Sequence, residues 1–295
     1  MRLTDEEIQA RRSHIGGSEA AAVLGLSKWK TPEQVRQEKL GIAPAWDGNL
    51  RTELGHVLEP MVLGLYEKEI GKPLVQVPAR TSGIMLATPD AMVDERWGVD
   101  AKTAGQKNEE WGEPDSDEIP AEYVLQGQHY MAVTGATRWD FAVLFLARAE
   151  FSVYTVERDP KLIDLLSARE GAWWQAHIVE DKPCPAVSLD DLKLLYPRDD
   201  GSLLEATAED IARIATLREL KGELKELEEQ KDELETYLRM RLGAHAGLLW
   251  QGKPAVTYKA QRGSRLDAKR LKAEKPEVAK AYTVRYDMRV LRVKS

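Results

Sequence analysis

The spacing of apolar and polar residues predicts several helices near the beginning of the chain. A short helix is expected after Thr4, another from Lys30 to about Gly41, and a longer one over residues 51–70. The apolar stripe of the longer helix is predicted to consist of Leu54, Val57, Leu58, Met61 and Leu65. Because proline lacks the backbone N–H, Pro60 is expected to kink this helix or restart it.

The middle of the chain alternates strand and helix patterns. Met85-Leu-Ala is predicted to end one strand and residues 98–103 to form the next, with turn-forming residues between them, so a hairpin is expected. A helix is predicted from Ile119 to about Val133. Two strands follow, over residues 138–147 and 151–158, and then a helix from Asp159 to His177. This order of elements predicts an α/β core.

Beyond residue 200 the pattern becomes that of a long polar helix. Leucines recur at heptad spacing within residues 206–242, and Lys231 interrupts the row: Leu217, Leu220, Leu224, Leu227, Leu234 and Leu238. Such a seam packs on the core or on a second helix. A hairpin, a basic helix around residues 269–280 and a strand from Met288 are expected after it. The predicted domains are 1–200, 201–245 and 246–295.

Composition narrows the class of protein. A chain of 295 residues suits one large domain or one domain with an appendage. The single cysteine, Cys184, excludes an internal disulfide framework, a cysteine-rich zinc site and a four-cysteine iron–sulfur cluster. Apolar runs stay shorter than the roughly 18 residues of a membrane span, and the N-terminus lacks an apolar signal segment. A cytoplasmic protein without membrane association is therefore expected.

Charge is distributed unevenly along the chain. The net charge is −7, yet residues 251–295 contain 13 Lys and Arg against 4 Asp and Glu. A basic tail on an acidic body suits contact with phosphate by one element. The alternative interpretation is a solvated tail without a partner.

Three short segments predict a metal-dependent phosphodiesterase centre. Asp90 precedes Asp100 by ten residues, Lys102 follows Asp100 by two, and Glu59 lies in the helix upstream. Residues two apart in a strand share a face, so Asp100 and Lys102 are expected to point the same way, opposite Val99. Carboxylates hold Mg²⁺, and an ammonium group acts on the attacking water or on the charge of the phosphorane.

Each of these segments also has an ordinary explanation. A D-x-K triplet commonly belongs to the solvated face of a strand. Thr88-Pro-Asp90 can form a turn or a helix cap, and Glu59 can be one half of a surface ion pair. It is their combination in this order that favours a nuclease.

Two further segments have residues suited to binding phosphate. Ser18 is predicted to cap a helix over residues 19–24 after two glycines, and Arg11 is placed to reach a phosphate at that helix end. In the helix beginning near Ile119, Tyr123, Gln126 and Tyr130 share a face and Gln128 lies beside it. Amides and phenols can hydrogen-bond to phosphate oxygens. The alternatives are an ordinary capped helix and a polar helix surface.

The chain resembles the YqaJ-type viral recombinase family, whose members are similar to phage lambda exonuclease within the PD-(D/E)xK nuclease superfamily. The resemblance covers about residues 11–147. It rests on motifs in a fixed order: Ile15-Gly-Gly-Ser-Glu-Ala-Ala, Gly55-His-Val-Leu-Glu, Thr88-Pro-Asp, Asp100-Ala-Lys-Thr and Tyr123-Val-Leu-Gln-Gly-Gln-His-Tyr. It implies a restriction-endonuclease-like core, a mixed central sheet flanked by helices, with a helical, basic C-terminal extension.

The resemblance also implies an activity and a set of roles. The activity is a Mg²⁺-dependent 5′→3′ exonuclease on double-stranded DNA ends, for which Mn²⁺ is expected to substitute. Asp90, Asp100 and the Ala101 carbonyl would bind metal, while Glu59 and Lys102 would act on the water. The residues implied to contact DNA or its 5′ phosphate are Arg11, Ser18, Thr88, Gln126, Gln128 and Tyr130.

The resemblance extends to partners and location. It implies a single-strand annealing protein as partner, a homo-oligomer, specifically a trimer, and a phage- or prophage-encoded protein in the bacterial cytoplasm. One departure is Asp100, where family members mostly have Glu, so the position or preference of the metal is expected to differ. An endonuclease or single-strand nuclease of the same superfamily, and a non-catalytic DNA-binding or assembly protein, remain as alternatives.

Overall fold

A computed structural model of the chain describes residues 5–43, 48–114, 116–285 and 288–293. The chain divides into two compact units, Met1–Leu195 and Tyr196–Ser295. The helices of the first unit are α1 (Asp5–Ser13), α2 (Gly17–Val23), α3 (Pro32–Lys39), α4 (Leu50–Ile70), α5 (Ala121–Thr134), α6 (Pro160–Trp174), which continues into a π-helical turn (Gln175–Val179), and α7 (Leu189–Leu195). Its strands are β1 (Ile15–Gly16), β2 (Arg80–Ser82), β3 (Met85–Ala87), β4 (Ala91–Asp94), β5 (Trp97–Ala104), β6 (Arg138–Phe145) and β7 (Glu150–Glu157).

The strands of the first unit form two sheets. The larger sheet has the order β4-β5-β6-β7, with β5 and β6 parallel and the two outer pairs antiparallel. The smaller sheet has the order β1-β3-β2, with β1 parallel to β3. The parallel pair β5–β6 requires a crossover connection, and α5 provides it.

Both faces of the larger sheet are covered by helices. Trp139 and Phe141 of β6 pack in one buried cluster with Met131 of α5. Ala142, the neighbouring residue on β6, packs in a second cluster with Val62 of α4. Since successive strand residues point to opposite faces, α5 and α4 lie on opposite sides of the sheet. The predicted fold class, a mixed sheet flanked by helices, is confirmed.

The predicted hairpin exists, but its first strand is a different one. Met85–Ala87 belongs to the smaller sheet. The strand that pairs with β5 is β4, with Ala91 opposite Val99. Pro89 stands between the two segments, and a residue without an N–H cannot continue a hydrogen-bonded ladder. The chain therefore changes sheets at Thr88-Pro-Asp90, which leaves Asp90 at the start of the hairpin.

The apolar stripe predicted for α4 is wrong in part. The buried residues of this helix are Val62 and Tyr66, both fully inaccessible, whereas Leu54, Val57 and Met61 are exposed. The helix is apolar on more than one side, so its period alone could not select the buried face. Tyr66 settles the orientation, because its hydroxyl donates to the buried carboxylate of Asp140 at 2.6 Å. Nor does Pro60 interrupt α4.

The second unit consists of α8 (Ala208–Leu242), a hairpin of β8 (Gly247–Trp250) and β9 (Lys253–Thr257), α9 (Ala268–Glu274) and α10 (Pro276–Ala281). The predicted long helix and hairpin are confirmed. The basic helix is two helices, because Pro276 begins a new one. The strand expected from Met288 is absent over residues 288–293, and Tyr286 and Asp287 lie outside the described residues. Among the helices that the structure describes, none combines the length and apolarity needed to cross a membrane.

Candidate active site

The start of β4 and the middle of β5 bring the first two predicted acids together. The Asp90 carboxylate accepts a hydrogen bond from the backbone N–H of Ala101 at 2.8 Å. Ala101 directly follows Asp100 on β5, beyond the last residue that pairs with β4. The Asp90 side chain therefore takes the place of a strand partner and lies beside the D-x-K segment.

Asp100 and Lys102 lie on the same face of β5, as the two-residue alternation predicts. The Lys102 Nζ is 2.8 Å from the Asp100 Oδ2, and both side chains are largely buried. Val99 and Ala101 face the opposite side, where they pack with the α4 cluster. The buried ammonium of Lys102 also lies over the ring of Tyr123, 5.5 Å from its centroid. These contacts hold the amine in one position.

Glu59 of α4 joins the same site through its charge. Its carboxylate is half-exposed and stands 3.7 Å from the Nδ1 of His56. Its negative charge contributes to the raised pKa of Asp90, together with Asp100. The structure thus brings Asp90, Asp100 and Lys102 together, and the charge of Glu59 lies near enough to act on Asp90.

The cluster perturbs the ionisation of its members. Burial and the nearby Asp100 carboxylate raise the pKa of Asp90 to about 8, and Lys102 only partly offsets them. For Lys102, burial lowers the pKa, but Asp100 and Asp90 outweigh burial and leave it above the ordinary value. Lys102 is therefore an ammonium group at neutral pH. Among the residues that the structure describes, the carboxyl groups of Asp90, Asp100 and Glu59 lie near a single ammonium group, that of Lys102. A bound cation would therefore favour the ionised form of Asp90.

The acids also have a polar atom without a partner. The Oδ1 of Asp100 is buried and has no hydrogen-bond partner among the described residues, while its Oδ2 accepts from both Lys102 and Gln126. A buried carboxylate oxygen beside a second carboxylate fits an oxygen-seeking divalent cation. Within the described ranges, no three His, Cys, Asp or Glu side chains are grouped closely enough to hold a metal. Two carboxylates plus a backbone carbonyl and waters therefore match the site better than an all-side-chain cage.

Gln126 of α5 lies inside the cluster rather than at its edge. It is buried, and its Nε2 donates to the Asp100 Oδ2 at 2.6 Å. Tyr130, one turn further along α5, is also buried, and its hydroxyl lies 3.4 Å from the Oγ1 of Thr88. Burial, followed by the Asp100 charge, raises the pKa of Tyr130 to about 12. Thr88 itself is exposed, next to the Asp90 segment.

Gln128 differs from its predicted role as a phosphate contact. The side chain is buried, its Nε2 donates to the backbone carbonyl of Glu157 at 2.7 Å, and its Oε1 accepts from the N–H of Asp159 at 2.9 Å. Both ends of the amide thus hold the connection between β7 and α6. The residue lies on the face of α5 next to that of Gln126, as predicted, but this face is turned into the protein.

Ser18 and Arg11 are both exposed, near the start of α2 and in α1 respectively. The prediction that Ser18 caps the helix is wrong. The cap is Gly16, whose N–H donates to the Glu19 carboxylate at 2.9 Å, and α2 begins at Gly17. Glu19 three positions into the helix takes over the capping function, which leaves the Ser18 hydroxyl toward solvent.

Sequence reasoning missed an ion pair and a buried histidine–carboxylate contact that support this region. Glu19 is bound by Lys39, a nearly inaccessible lysine of α3, which also donates to the carbonyl of Arg11. His129 of α5 is fully buried between the Glu170 carboxylate, at 2.9 Å, and the backbone carbonyl of Leu86, at 3.1 Å. It ties β3 to two helices just before the Asp90 segment. The two side-chain pairs join residues 20 and 41 positions apart, so no local spacing pointed to them.

We expect Gly17→Ala to destabilise the protein by about 1–3 kcal/mol, because α2 and α5 approach closely at this glycine. A Cβ at Gly17 would collide with the ring of Tyr130. Thermal unfolding will measure the effect. The control is Gly171→Ala in α6, where a Cβ meets nothing within 4 Å and the helix should gain about 1 kcal/mol. Equal effects of the two substitutions would contradict the packing at Gly17.

The chain is similar to known proteins in sequence and in fold. A statistical model of the YqaJ-like viral recombinase domain matches residues 8–137. Among solved structures, the chain is similar to the alkaline exonuclease LHK-Exo from Laribacter hongkongensis, with 21% identity, a TM-score of 0.49, and coverage of 60% of this chain and 94% of that one. A phage-related exonuclease from Haemophilus somnus 129PT has 17% identity, a TM-score of 0.46, and coverage of 57% and 96%.

One curated relative is similar over nearly the whole chain. The uncharacterized protein YqaJ of Bacillus subtilis (strain 168) is 30% identical over 289 residues, which make up 93% of this chain and 89% of the relative. This similarity includes the second unit, beyond the matched domain. The chain therefore belongs to the YqaJ-like viral recombinase family, a nuclease family, as its sequence motifs predicted.

Proposed function

We propose that the chain is a Mg²⁺-dependent exonuclease that degrades one strand of linear double-stranded DNA in the 5′→3′ direction and leaves a 3′ single strand. The observation that carries the proposal is the meeting of Asp90, Asp100 and Lys102 at one spot, where the buried Oδ1 of Asp100 has no partner in the described part of the chain. Two acids, one amine and an unused oxygen ligand make up the minimum of a metal-dependent phosphodiesterase.

Asp90, Asp100 and the Ala101 carbonyl would hold the Mg²⁺, with Mn²⁺ as a substitute. When bound, the ion makes water more acidic and neutralises charge on the phosphate. Asp90 is preorganised by the Ala101 N–H, and Asp100 by Gln126. Gln126 is therefore a positioning residue in this proposal, and its predicted direct contact with phosphate is replaced by support of a metal ligand.

Lys102 and Glu59 would act on the water. Lys102 remains protonated, so it donates hydrogen bonds to the attacking oxygen and stabilises the charge that develops on the phosphorane. The half-exposed carboxylate of Glu59 lies at the solvent side of the cluster and accepts the proton that the water releases. The exposed Thr88 lines the neighbouring side, where its hydroxyl contacts the DNA backbone. Tyr130 is buried beside it, so its predicted contact with DNA is replaced by support of Thr88.

The activity is tested with purified protein, Mg²⁺ and linear duplex labelled at either the 5′ or the 3′ end. The expected result is stepwise release of nucleotides from the 5′ end, with a protected 3′ strand. A covalently closed circle of the same sequence serves as the control and should remain intact. Cutting of the circle would show that the protein is an endonuclease. Linear DNA that stays undegraded at pH 7–9, both with Mg²⁺ and with Mn²⁺, would refute the proposed activity.

A 5′ phosphate is expected to accelerate degradation, because the exposed Arg11 and Ser18 lie close together in the chain near α2, where a phosphate can bind. Arg11→Ala should bring the ratio of rates on 5′-phosphate and 5′-hydroxyl ends close to one. The neighbouring exposed arginine provides the control, since Arg12→Ala should retain the preference. If wild-type protein degrades both ends equally fast, the proposed phosphate site is wrong.

The basic C-terminal segment is proposed to contact the DNA backbone. Its lysines Lys269, Lys272 and Lys275 lie on or next to α9 and are largely exposed. Replacing all three by Gln should reduce the slope of log affinity against log salt by up to about 2–3. The matched control replaces the exposed Lys161, Lys182 and Lys193 of the first unit. Equal slopes for the two triple variants would show that the C-terminal segment does not contact the DNA backbone.

The family resemblance supports two further parts of the proposal. The first is a homo-oligomer, with a trimer as the form that the resemblance implies. The second is a single-strand annealing protein, which would take up the 3′ strand as it forms. Sedimentation of the protein alone and co-sedimentation with the annealing protein test the two parts separately.

A further inference from the structure

The heptad helix of the second unit is not used by the proposed nuclease function. α8 extends over 35 residues, about 52 Å, from Ala208 to Leu242. Its leucine seam faces solvent over most of its length: Leu220 is 50% exposed, Leu224 59%, Leu227 60% and Leu234 66%. A row of half-exposed leucines at heptad spacing is the surface that a second helix covers in a coiled coil.

We propose that this seam binds the same seam of a second copy of the chain, with the two α8 helices antiparallel and in full overlap. The proposal goes beyond the nuclease function and does not depend on it. In this arrangement Leu224 faces Leu227 of the second copy, and Leu217 faces Leu234. Between residues 217 and 234 the core of the pair then contains four Leu–Leu layers and two layers in which Leu220 faces Lys231.

Charge complementarity selects the antiparallel arrangement. In full overlap Lys221 flanks the seam next to Glu228 of the second copy, and two-fold symmetry forms this pair twice. At the ends of the seam Asp210 faces Arg241 of the second copy, again twice. Flanking charges of this kind set the orientation and the partner of coiled-coil helices.

A parallel pair in register would place like charges together. Lys231 occupies a seam position, so a parallel pair would bury two ammonium groups against each other. Glu223 would also flank the seam next to Glu228 of the second copy. In the antiparallel pair Lys231 instead faces Leu220, and its long apolar stem can cover that leucine while the ammonium reaches water.

The mass of the full-length protein tests the seam. By sedimentation equilibrium, Leu227→Asp should halve the mass of the assembly relative to wild type at the same concentration, because the paired seams join two assemblies of the first unit. Met240→Asp is the control, because Met240 is 79% exposed on the same helix but lies outside the seam. An unchanged mass for Leu227→Asp, or equal losses for both variants, would overturn the proposal.

Cross-linking tests the orientation. Leu217→Cys and Leu234→Cys variants, carrying tags of different mass, are mixed and oxidised; the native Cys184 is buried and free, so wild-type protein is the blank. The antiparallel pair should form the mixed disulfide, because two copies of residue 217 would lie about 25 Å apart. Disulfides between identical variants would show a parallel pair, and the absence of both products would refute the pairing.

A charge exchange tests the flanking pairs. Lys221→Glu should weaken self-association about tenfold, since it replaces two attractive pairs by two repulsive ones. Combining it with Glu228→Lys should restore the affinity to within about twofold of wild type, because the pairs re-form with opposite sign. If the double variant associates no better than the single one, the proposed register is wrong.

Discussion

Replacing Lys102 by alanine is expected to lower the rate of DNA cleavage by about 10²- to 10³-fold while leaving the affinity for DNA ends nearly unchanged. The reason lies in the location of the ammonium group: it is buried on the face of β5 that carries Asp100, 2.8 Å from that carboxylate, and it stays protonated. A preorganised cation at this point stabilises the transition state more than the bound substrate, so the loss should fall on the chemical step.

Single-turnover cleavage with excess enzyme measures that step directly, and binding of DNA ends in Ca²⁺ measures affinity without cleavage. Lys193→Ala is the matched control, because that lysine is exposed and its ammonium lies 2.6 Å from the carboxylate of the exposed Asp190. If the Lys102→Ala enzyme keeps more than a tenth of the wild-type rate, Lys102 does not take part in the chemical step. A large loss of DNA affinity would instead make it a binding residue.

Asp90→Asn is expected to abolish Mg²⁺-dependent activity and yet to stabilise the metal-free protein by about 1–3 kcal/mol at pH 8.5. Burial raises the pKa of Asp90 to about 8, together with the charges of Asp100 and Glu59. The asparagine oxygen can still accept the Ala101 N–H, so the substitution removes the charge and retains the hydrogen bond. Function and stability should therefore change in opposite directions at this residue.

The sign of the pH dependence follows from proton binding. An acid whose pKa is raised on folding binds more protons in the folded state, so stability falls as pH rises from about 4 to about 8. The gain from Asp90→Asn should accordingly be small at pH 5 and largest above pH 8. Thermal unfolding in EDTA at pH 5 and pH 8.5 measures it.

Mg²⁺ provides the second part of the same experiment. Adding Mg²⁺ should raise the melting temperature of wild type at pH 8.5 but not that of Asp90→Asn, because the ion neutralises the charge that the variant lacks. Asp94→Asn, at the turn end of the same hairpin and exposed, is the control and should respond to Mg²⁺ like wild type. If Asp90→Asn lowers stability at pH 8.5 in EDTA, the carboxylates do not repel each other in the folded protein.

Local patterns in the sequence predicted the parts of the site that depend on a few consecutive residues. The alternation along β5 was enough to place Asp100 and Lys102 on one face and Val99 on the other. The spacing along α5 separated Gln126 and Tyr130 from Gln128. These relations follow from the geometry of a strand and a helix, which every residue of the element shares.

Contacts between distant segments could not be predicted in this way. The burial of Val62 and Tyr66 rather than of Leu54 and Val57 depends on where α4 meets the sheet. Gln126 reaches Asp100 over 26 positions, and that contact decides that it supports a carboxylate. The capping role predicted for Ser18 was wrong because Glu19, which is held by Lys39 of another helix, accepts the hydrogen bond at the start of α2.

The sequence by itself determined most of the helices and strands, the mixed α/β class, the order of the family motifs and the shared face of Asp100 and Lys102 on β5. Only the tertiary structure decided that the chain changes sheets at Asp90, that Gln128 is turned inward, and that the Oδ1 of Asp100 has no partner within the residues described. The physical reason is that side-chain direction is set by local backbone geometry, whereas burial and the pairing of polar atoms are set by which surfaces meet.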